Sequence, residues 1–522
     1  MRTKTQSGLP PSLAEPPGGR PRGRFAGALG WSAAAAVAVS LLLMMALMLA
    51  GPSQAVAEIP KTWPAPPYWF HLHLDDLEVG AMVYAMLVLA AAGVACGLLA
   101  VARGARPNLR LLAAGAVVAA AAMTVLPPGG STDSLSYATY GRIAVLGHNP
   151  YSYPPSMLIH SGDPVGRQTT PHWTSLPSVY GPVETGAEWA AAELGGTSIS
   201  RIVFWLKLLF AAAYGAVAFG LDRVLRRDRA ARARAHVLWT VNPLVLWAVV
   251  AGAHCDALTA GLGVLGLVVI RPGRAGAGAP TLRQSLLAGL LIGAAAGVKI
   301  PFALLGIGPA WAARRSPRAL AAMVAGAAVT LVPGYLLAGQ AAVTDLRNQS
   351  SLVAFDSFWR LLFPAFGGFI TDPHDVPALL MPAAELLAVA LAALLLWRLP
   401  RGYDGLPAVR PALALMLAWL LVWPMQRPWY DAIAFALLAA FPATKLDWLI
   451  IIRTLPAAIT MATTGVGPSL NPRPWLTRFD HSLGWTCTPA ILLGVVAAVV
   501  AISAIGAWPS RRPPPLAGLT PA

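Results

Sequence analysis

Apolar residues form long runs along almost the whole chain, and short polar connections separate these runs. A run of ~20 apolar residues is long enough for an α-helix to cross a bilayer. Several runs are shorter, so we expect some of them to be tilted or to form half-buried pairs. The predicted spanning segments are 31–50, 79–102, 111–125, 202–221, 237–253, 257–270, 285–297, 300–313, 319–338, 379–397, 412–423, 432–440, 449–464 and 491–505.

Arginine is concentrated in the connections, and its distribution predicts which side of the membrane each connection faces. Loops rich in lysine and arginine stay on the cytoplasmic side. If every basic cluster is cytoplasmic, both chain ends lie inside and the number of spans is even, roughly 12 to 14. Segment 285–313 has arginines at both ends, so it crosses twice or forms a re-entrant hairpin with Lys299 near its outer tip. The basic clusters are 103–110, 222–235, 271–283, 314–318, 398–410 and the tail from Arg511.

Composition agrees with a membrane protein. Of the 522 residues, 57% are hydrophobic and 11% are charged, and the mean hydropathy is +0.61. A net charge of +16 would suggest a nucleic-acid partner for a soluble protein, but here it follows the positive-inside pattern. Three scattered cysteines, Cys96, Cys255 and Cys487, indicate neither a disulfide framework nor a zinc site.

We therefore predict an all-α polytopic membrane protein with both termini in the cytoplasm. Residues 1–30 are predicted to be a disordered cytoplasmic tail, and 508–522 a second tail rich in proline and arginine. The membrane domain spans 31–507, and within it residues 128–200 form a large outer loop.

The unusual polar residues fall on the predicted outer face. They include Asp133, the AHCDAL connection around Asp256, Lys299 and Arg427. A charge at a membrane boundary is costly unless it faces water, a partner or a substrate, so their convergence indicates a functional site. Taken singly, each charge is equally consistent with a functional role and with a role as an interfacial anchor or a helix cap.

Asp133 opens the most informative stretch, STDSLSYATYGRIAVLGHNPYSYPP at 131–155. It stands at the start of a predicted helix, 134–145, on which Tyr137 and Tyr140 share one face. The carboxylate either caps this helix or carries chemistry. A glycine–proline turn, GHNPY, follows the helix.

The chain also carries an ordered set of motifs that resembles a known enzyme family. They are DSLSYATYGRIAVLGHNPY (133–151), VYGPV (179–183), NPLVLWAVVAGAHCDALTAGL (242–262), AGVKIPFALL (296–305) and RPWYDA (427–432). In this order they resemble the polyprenol-phosphate-mannose-dependent alpha-mannosyltransferases of actinobacteria. Within that family the chain is most similar to the alpha-1,6-mannosyltransferases of lipomannan assembly.

The resemblance implies a C-type glycosyltransferase architecture that joins a lipid-linked sugar and an acceptor at the outer membrane face. The family's expected base is the acid of a D-x-x-S-Y pattern, which maps onto Asp133. Where the family has an HN-D or HN-E element, this chain has His254, Cys255 and Asp256, so the carboxylate is kept and the middle residue differs. If Asp133 only caps its helix, Asp256 is the alternative base.

The same residues suit an inverting transfer, which requires one base and a cation for the departing phosphate. We expect Asp133 to be the base and Lys299 and Arg427 to hold the donor phosphate. Trp429 and Tyr430 either stack on sugar or prenyl groups or belong to the interfacial aromatic belt. The expected substrate-binding residues are Tyr137, Tyr140, Asn149, Tyr151, Tyr180, His254, Asp256, Trp429 and Tyr430.

No nucleotide fingerprint, phosphate-cradling glycine loop or run of zinc ligands occurs, so we predict neither a cofactor nor an obligatory metal. The expected partners are polyprenyl-phosphate-mannose, a glycolipid or mannan acceptor and the lipid bilayer, without nucleic acid. Two alternatives stay open. One is transfer of another sugar, such as arabinofuranose, from a polyprenyl phosphate. The other is a lipid-linked sugar flippase or transporter, although polar residues in transporters usually lie at the bilayer midplane.

Overall fold

The structure is a computed structural model that describes residues 21–271, 279–343, 352–362, 376–463 and 466–508. Within these ranges the chain forms helices and no β-strand, which confirms the predicted all-α class. Eight of the described helices are long and apolar enough to cross a membrane, and six shorter apolar helices have 10–17 residues. The protein is thus a multi-pass membrane protein, while the total of 12 to 14 spans and the cytoplasmic termini stay predictions.

The helices follow the predicted apolar runs closely. In chain order they are α1 (Pro21–Ala50), α2 (Asp76–Ala102), α3 (Leu109–Thr124), α4 (Asp133–Val145), α5 (Pro155–His160), α6 (Pro182–Gly195), α7 (Ile199–Val224), α8 (Arg229–Ala235), α9 (Pro243–Val245), α10 (Asp256–Val269), α11 (Leu282–Val298), α12 (Ile307–Ala313), α13 (Pro317–Ala338), α14 (Val376–Arg398), α15 (Val409–Val422), α16 (Asp431–Ala439), α17 (Leu446–Thr463), α18 (Pro474–Ser482) and α19 (Thr488–Ala504).

Short helical turns connect several of these helices. Turns of 3₁₀ geometry lie at Gly166–Gln168, Pro171–Trp173, Ile300–Gly306, Phe358–Leu362 and Pro428–Tyr430. Segments of π-helix lie at His236–Thr240, Leu246–Ala251 and Leu483–Cys487.

The first helix extends into the predicted cytoplasmic tail. It begins at Pro21, so residues 21–30 are helical rather than disordered. A proline suits the first turn of a helix, and the arginine, alanine and leucine that follow continue one readily. Residues 1–20 and 509–522, the remainder of the two predicted tails, lie outside the described residues.

The predicted hairpin has its turn at Lys299. Helix α11 ends at Val298, and the extended backbone of Lys299 (φ −149°, ψ 114°) prevents the helix from continuing. The chain then folds as the 3₁₀ turn Ile300–Gly306, which has a proline in its first turn, and as α12. Both the turn and α11 line one shared apolar cleft, so the two arms lie side by side.

The run predicted at 237–253 is an irregular helix. Asn242 interrupts it: its side chain donates to the carbonyl of Leu238 and accepts from the amide of Leu244. Pro243 has no amide proton to continue the helical pattern. The segment ends at Ala251, and Ala253 adopts a left-handed conformation (φ +56°), which is uncommon outside glycine. The backbone therefore bends immediately before His254.

Candidate functional site

The first residue of α4 is Asp133, and the connection before it is fixed by close backbone packing. Thr132 stands at the N-cap of α4 and makes no side-chain capping hydrogen bond. Gly129 and Gly130 pass against the indole of Trp247. An added Cβ at either glycine would lie 2.7 Å from an atom of this ring. Gly130 has a positive φ (+78°), which a larger residue rarely adopts. The start of α4 is therefore held in one place.

A buried lysine that the sequence interpretation passed over supports the same connection. Lys207 lies inside the apolar helix α7 and donates to the carbonyls of Leu126 and Pro127, at 2.6 and 3.3 Å. Its signal in the sequence was a single cation within an apolar run, which is expensive in a membrane unless it has a partner.

Asp133 faces His254. The distance from Asp133 Oδ2 to His254 Nε2 is 3.6 Å, and the Asp133 side chain is 14% exposed. The other ring nitrogen, Nδ1, bonds to the carbonyl of Ala248, and the ring stacks on Trp429 with centroids 3.8 Å apart. Burial lowers the pKa of His254 to about 4, although the Ala248 carbonyl and Asp256 act in the opposite direction. The imidazole is therefore neutral at physiological pH.

Two residues after His254, Asp256 forms a buried ion pair with Lys299. The Lys299 ammonium lies 2.8 Å from Asp256 Oδ2. It also lies over the rings of Tyr430 and Tyr180, at 4.4 and 5.7 Å from their centroids. Burial lowers the pKa of Lys299 and the Asp256 carboxylate raises it, and the net shift is upward. Lys299 is therefore charged, and one of its three N–H donors is taken by Asp256.

Helix α6 docks on the end of α11 beside this ion pair. The amide of Gly181 donates to the carbonyl of Val298, at 2.9 Å. A Cβ at Gly181 would lie 2.2 Å from the carbonyl oxygen of Gly297, so only glycine permits this approach. The contact places Tyr180 and the first turn of α6 next to Lys299.

Helix α6 buries two carboxylates that the sequence did not identify as part of the site. Glu184 and Glu188 are both fully buried, and their oxygens have no hydrogen-bond partner among the described residues. Burial raises the pKa of Glu184 to about 8, against the attraction of the Lys299 ammonium. Burial and the neighbouring Glu184 raise the pKa of Glu188. The sequence did contain a signal for them, because Glu184 and Glu188 are one helical turn apart within the predicted outer loop.

The tyrosines of the opening stretch have different surroundings. Tyr137 is buried in the cluster: its ring meets Tyr180 edge-on, with centroids 5.0 Å apart, and its hydroxyl lies 3.8 Å from Cys255 Sγ. Tyr140 instead bonds to the carbonyl of Leu176, at 2.9 Å. The hydroxyl of Tyr151 bonds to Thr185 at 2.7 Å.

The side chain of Asn149 holds the GHNPY turn together. Its nitrogen donates to the carbonyl of Ala338 and its oxygen accepts from the amide of Tyr151, both at 3.0 Å. Substrate contact by Tyr140, Asn149 and Tyr151 stays a prediction, and the contacts above give each a part in packing the loop.

A small open cleft adjoins His254 and Trp429, and Gly130 and Met461 also line it. Arg427 contacts one of these lining residues, with Nη1 3.9 Å from Met461 Sδ. The structure thus brings Asp133, His254, Asp256, Lys299, Tyr430 and their aromatic neighbours into one cluster, with Arg427 beside the cleft. In the part of the chain that the structure describes, no group of three or more His, Cys, Asp or Glu side chains could hold a metal ion.

The fold and the site define a multi-pass helical membrane protein in which acids, a lysine and aromatic rings converge where helices end. The chain belongs to the alpha-(1->6)-mannopyranosyltransferase family. A profile of that family, described as "Alpha-(1->6)-mannopyranosyltransferase, N-terminal domain", matches residues 33–315, more than half of the chain. Asp133, His254, Asp256 and Lys299 all lie within the matched residues.

Individual relatives carry the same description. The chain is 32% identical over 145 residues to a probable alpha-(1->6)-mannopyranosyltransferase of Mycolicibacterium smegmatis. The aligned region covers 28% of this chain and 26% of the relative. It is 23% identical over 339 residues to alpha-(1->6)-mannopyranosyltransferase B of Corynebacterium glutamicum. Here the aligned region covers 59% of this chain and 55% of the relative. The chain thus spans between a quarter and just over half of these relatives' length. No solved structure gives a significant match.

Proposed function

We propose that this protein transfers a mannosyl residue from polyprenyl-phosphate-mannose to a glycolipid or mannan acceptor. The transfer forms an alpha-1,6 linkage with inversion, at the outer face of the cytoplasmic membrane. Family membership supports mannosyl transfer, and the names of the relatives support the linkage. The lipid donor and the membrane side follow from the motif resemblance and from the distribution of arginine.

The observation that carries the proposal is the difference in exposure among the acids of the cluster. Asp133 is 14% exposed, whereas Asp256 is 1% exposed and bound to Lys299. Glu184 and Glu188 are fully buried. Of these four acids, Asp133 is the one that an acceptor hydroxyl can reach.

The reaction then requires little more than a base and a leaving group. The Asp133 carboxylate removes the proton of the acceptor hydroxyl while that oxygen attacks the anomeric carbon of the donor. The bond from the anomeric carbon to the phosphate oxygen breaks on the opposite side, and the phosphate leaves with the bonding electron pair. Lys299 and Arg427 supply positive charge for the phosphate, the lysine as a point charge and the arginine through its planar fork.

The first experiment separates this function from its alternatives. Membranes that contain the protein are incubated with polyprenyl-phosphate-mannose and short alpha-mannosides, and the linkage of each product is determined. A parallel reaction uses polyprenyl-phosphate-arabinofuranose. We expect an alpha-1,6-linked mannoside. Transfer of arabinose alone would replace the sugar in the proposal, and movement of the lipid donor across vesicles without any product would favour a transporter.

The second experiment tests the base. Asp133→Asn keeps the size and helix-terminal preference of the side chain but removes the proton acceptor. We expect a loss of roughly 100- to 10,000-fold in transfer, the usual worth of a positioned general base, with thermal stability in detergent unchanged.

Asp163→Asn is the matched control, because Asp163 lies in the same outer segment and pairs with Arg142 at 3.0 Å. Its transfer rate should stay near that of the parent. A fully active Asp133→Asn protein with a destabilised Asp133→Ala counterpart would make Asp133 a structural residue and move the role of base to Asp256.

A further inference from the structure

The two ring nitrogens of His254 are in different states. Nδ1 bonds to the carbonyl oxygen of Ala248, and a carbonyl only accepts hydrogen bonds, so Nδ1 carries the proton. In a neutral imidazole, Nε2 then has a lone pair and no hydrogen. Nε2 is buried and has no hydrogen-bond partner among the described residues, although Asp133 Oδ2 lies 3.6 Å away.

Two proton acceptors therefore face one another in the resting site. A buried acceptor without a hydrogen bond costs free energy, and most buried polar atoms in proteins have a partner. A single proton between Asp133 and Nε2 would give Nε2 the hydrogen bond that it lacks. The proposed reaction delivers that proton when Asp133 deprotonates the acceptor hydroxyl.

We propose that His254 receives this proton from Asp133 and returns the base to its ionised form. The inference rests on the proposed function and assigns His254 a part in its proton transfer. The acceptor O–H bond breaks and the proton moves to Asp133 as the new glycosidic bond forms. The proton then passes from Asp133 to Nε2, which becomes N–H, and finally from His254 to water in the adjoining cleft.

Burial disfavours an imidazolium at His254, so the ring gives up the added proton readily once it has received it. The charged groups that face it are Asp133 and Asp256, which favour an imidazolium, and Lys299, which opposes it. Trp429 stacks on the ring at 3.8 Å with an interplanar angle of 13°, and an aromatic face attracts a cation. The stacking and the bond to Ala248 also hold Nε2 towards Asp133 through each cycle.

Chemical rescue tests the relay. His254→Ala leaves a space beside the cleft that a small base can enter. We expect the maximal transfer rate to fall roughly 10- to 100-fold, less than for loss of the base itself. Added imidazole should restore the rate in a saturable way, and more basic methylimidazoles should restore it further. Pyrazole has the same size but is a much weaker base, so it should restore little.

His236→Ala is the matched control, because His236 also pairs with a carboxylate, Asp222 at 3.1 Å, in another part of the chain. Imidazole should not change its rate. Asp133→Asn should not respond to imidazole either, because it cannot take the first proton.

The outcomes separate the relay from the function. An unmodified protein that transfers no mannose overturns the proposed function, and the relay with it. An active parent whose His254→Ala variant keeps full activity, or is impaired and responds equally to pyrazole and imidazole, overturns the relay and leaves the function intact.

Discussion

At the scale of single residues, the site depends on how each charge is compensated. Lys299 and Asp256 neutralise one another at 2.8 Å in a region with little access to water. An ion pair of this kind is expensive to break, because removal of one partner leaves a buried charge without compensation. A donor phosphate that approaches Lys299 therefore adds a contact to an ammonium that is already fixed in position.

Loss of either proposed phosphate contact should affect the donor more than the acceptor. A charge-assisted hydrogen bond is worth about 1.5–3 kcal/mol, so Lys299→Ala and Arg427→Ala should each raise the apparent KM for the lipid donor roughly 10- to 100-fold. The acceptor KM should change little. Arg142→Ala is the control. Arg142 lies on the helix that carries Asp133, and it pairs with Asp163 in the loop that follows. A variant that raises only the acceptor KM would contradict the assignment of that residue.

The buried carboxylate of Glu184 predicts a pH-dependent stability. Burial raises the pKa of Glu184 from 4.5 to about 8. Between these values the unfolded chain releases the proton and the folded chain keeps it, so stability falls as pH rises through this range. We expect the thermal midpoint in detergent to decrease from about pH 4.5 to pH 8, and Glu184→Gln to reduce this decrease.

Glu193, an exposed acid on the same helix, provides the comparison. Glu193→Gln should keep the pH dependence of the parent. An identical decrease in the Glu184→Gln and Glu193→Gln proteins would show that Glu184 does not cause it.

At the scale of elements, the site depends on helices that approach one another through glycine. Helix α6 meets the end of α11 at Gly181, and it meets α4 where an added Cβ at Gly141 would lie 2.2 Å from the Glu188 carbonyl oxygen. These contacts are between backbone atoms, which cannot turn aside as a side chain can. They fix α6 between the helix that carries Asp133 and the residue next to Lys299.

Gly181→Ala should therefore disturb both stability and activity. The new Cβ would lie 2.2 Å from the Gly297 carbonyl oxygen, which forces α6 away from α11. Overpacking of this kind costs about 1–3 kcal/mol, and the displacement moves Tyr180 away from Lys299. The expected result is a lower thermal midpoint together with a lower transfer rate.

Gly186 on the same helix provides the opposite case, because no atom lies within 4 Å of an added Cβ. Gly186→Ala should raise helix stability by about 0.5–1 kcal/mol and leave transfer unchanged. Equal effects of the two substitutions would argue against the backbone contact as the cause.

At the scale of the whole molecule, the proposed arrangement places the site and the arginine clusters on opposite sides of the membrane. Two exposed residues distinguish the sides: His148, in the loop after α4, and Arg226, in the basic connection after α7. The orientation of the chain decides which of them faces the outside.

In a protein with Cys96, Cys255 and Cys487 replaced by serine, His148→Cys should react with a membrane-impermeant maleimide on intact cells. Arg226→Cys should react only after the membrane is permeabilised, because positively charged connections stay inside. The reverse order of labelling would invert the proposed topology.

Much of the fold and part of the site follow from the sequence because they depend on local pattern. Apolar runs mark the helices, and Asp133, Asp256, Lys299 and Arg427 all lie where such runs begin or end. The roles of Glu188 and Gly181 depend instead on which helices pack together. Nothing in the sequence around them specifies that α6 packs against the C-terminal end of α11. Their importance therefore becomes visible only in the three-dimensional structure.

The Lys299–Asp256 pair should itself be insensitive to the membrane potential. A membrane potential does work of about 2.3 kcal/mol per elementary charge per 100 mV on a charge that crosses it. Two opposite charges 2.8 Å apart that shift together carry no net charge through the field. Adjustments of this pair during catalysis therefore neither consume nor sense voltage.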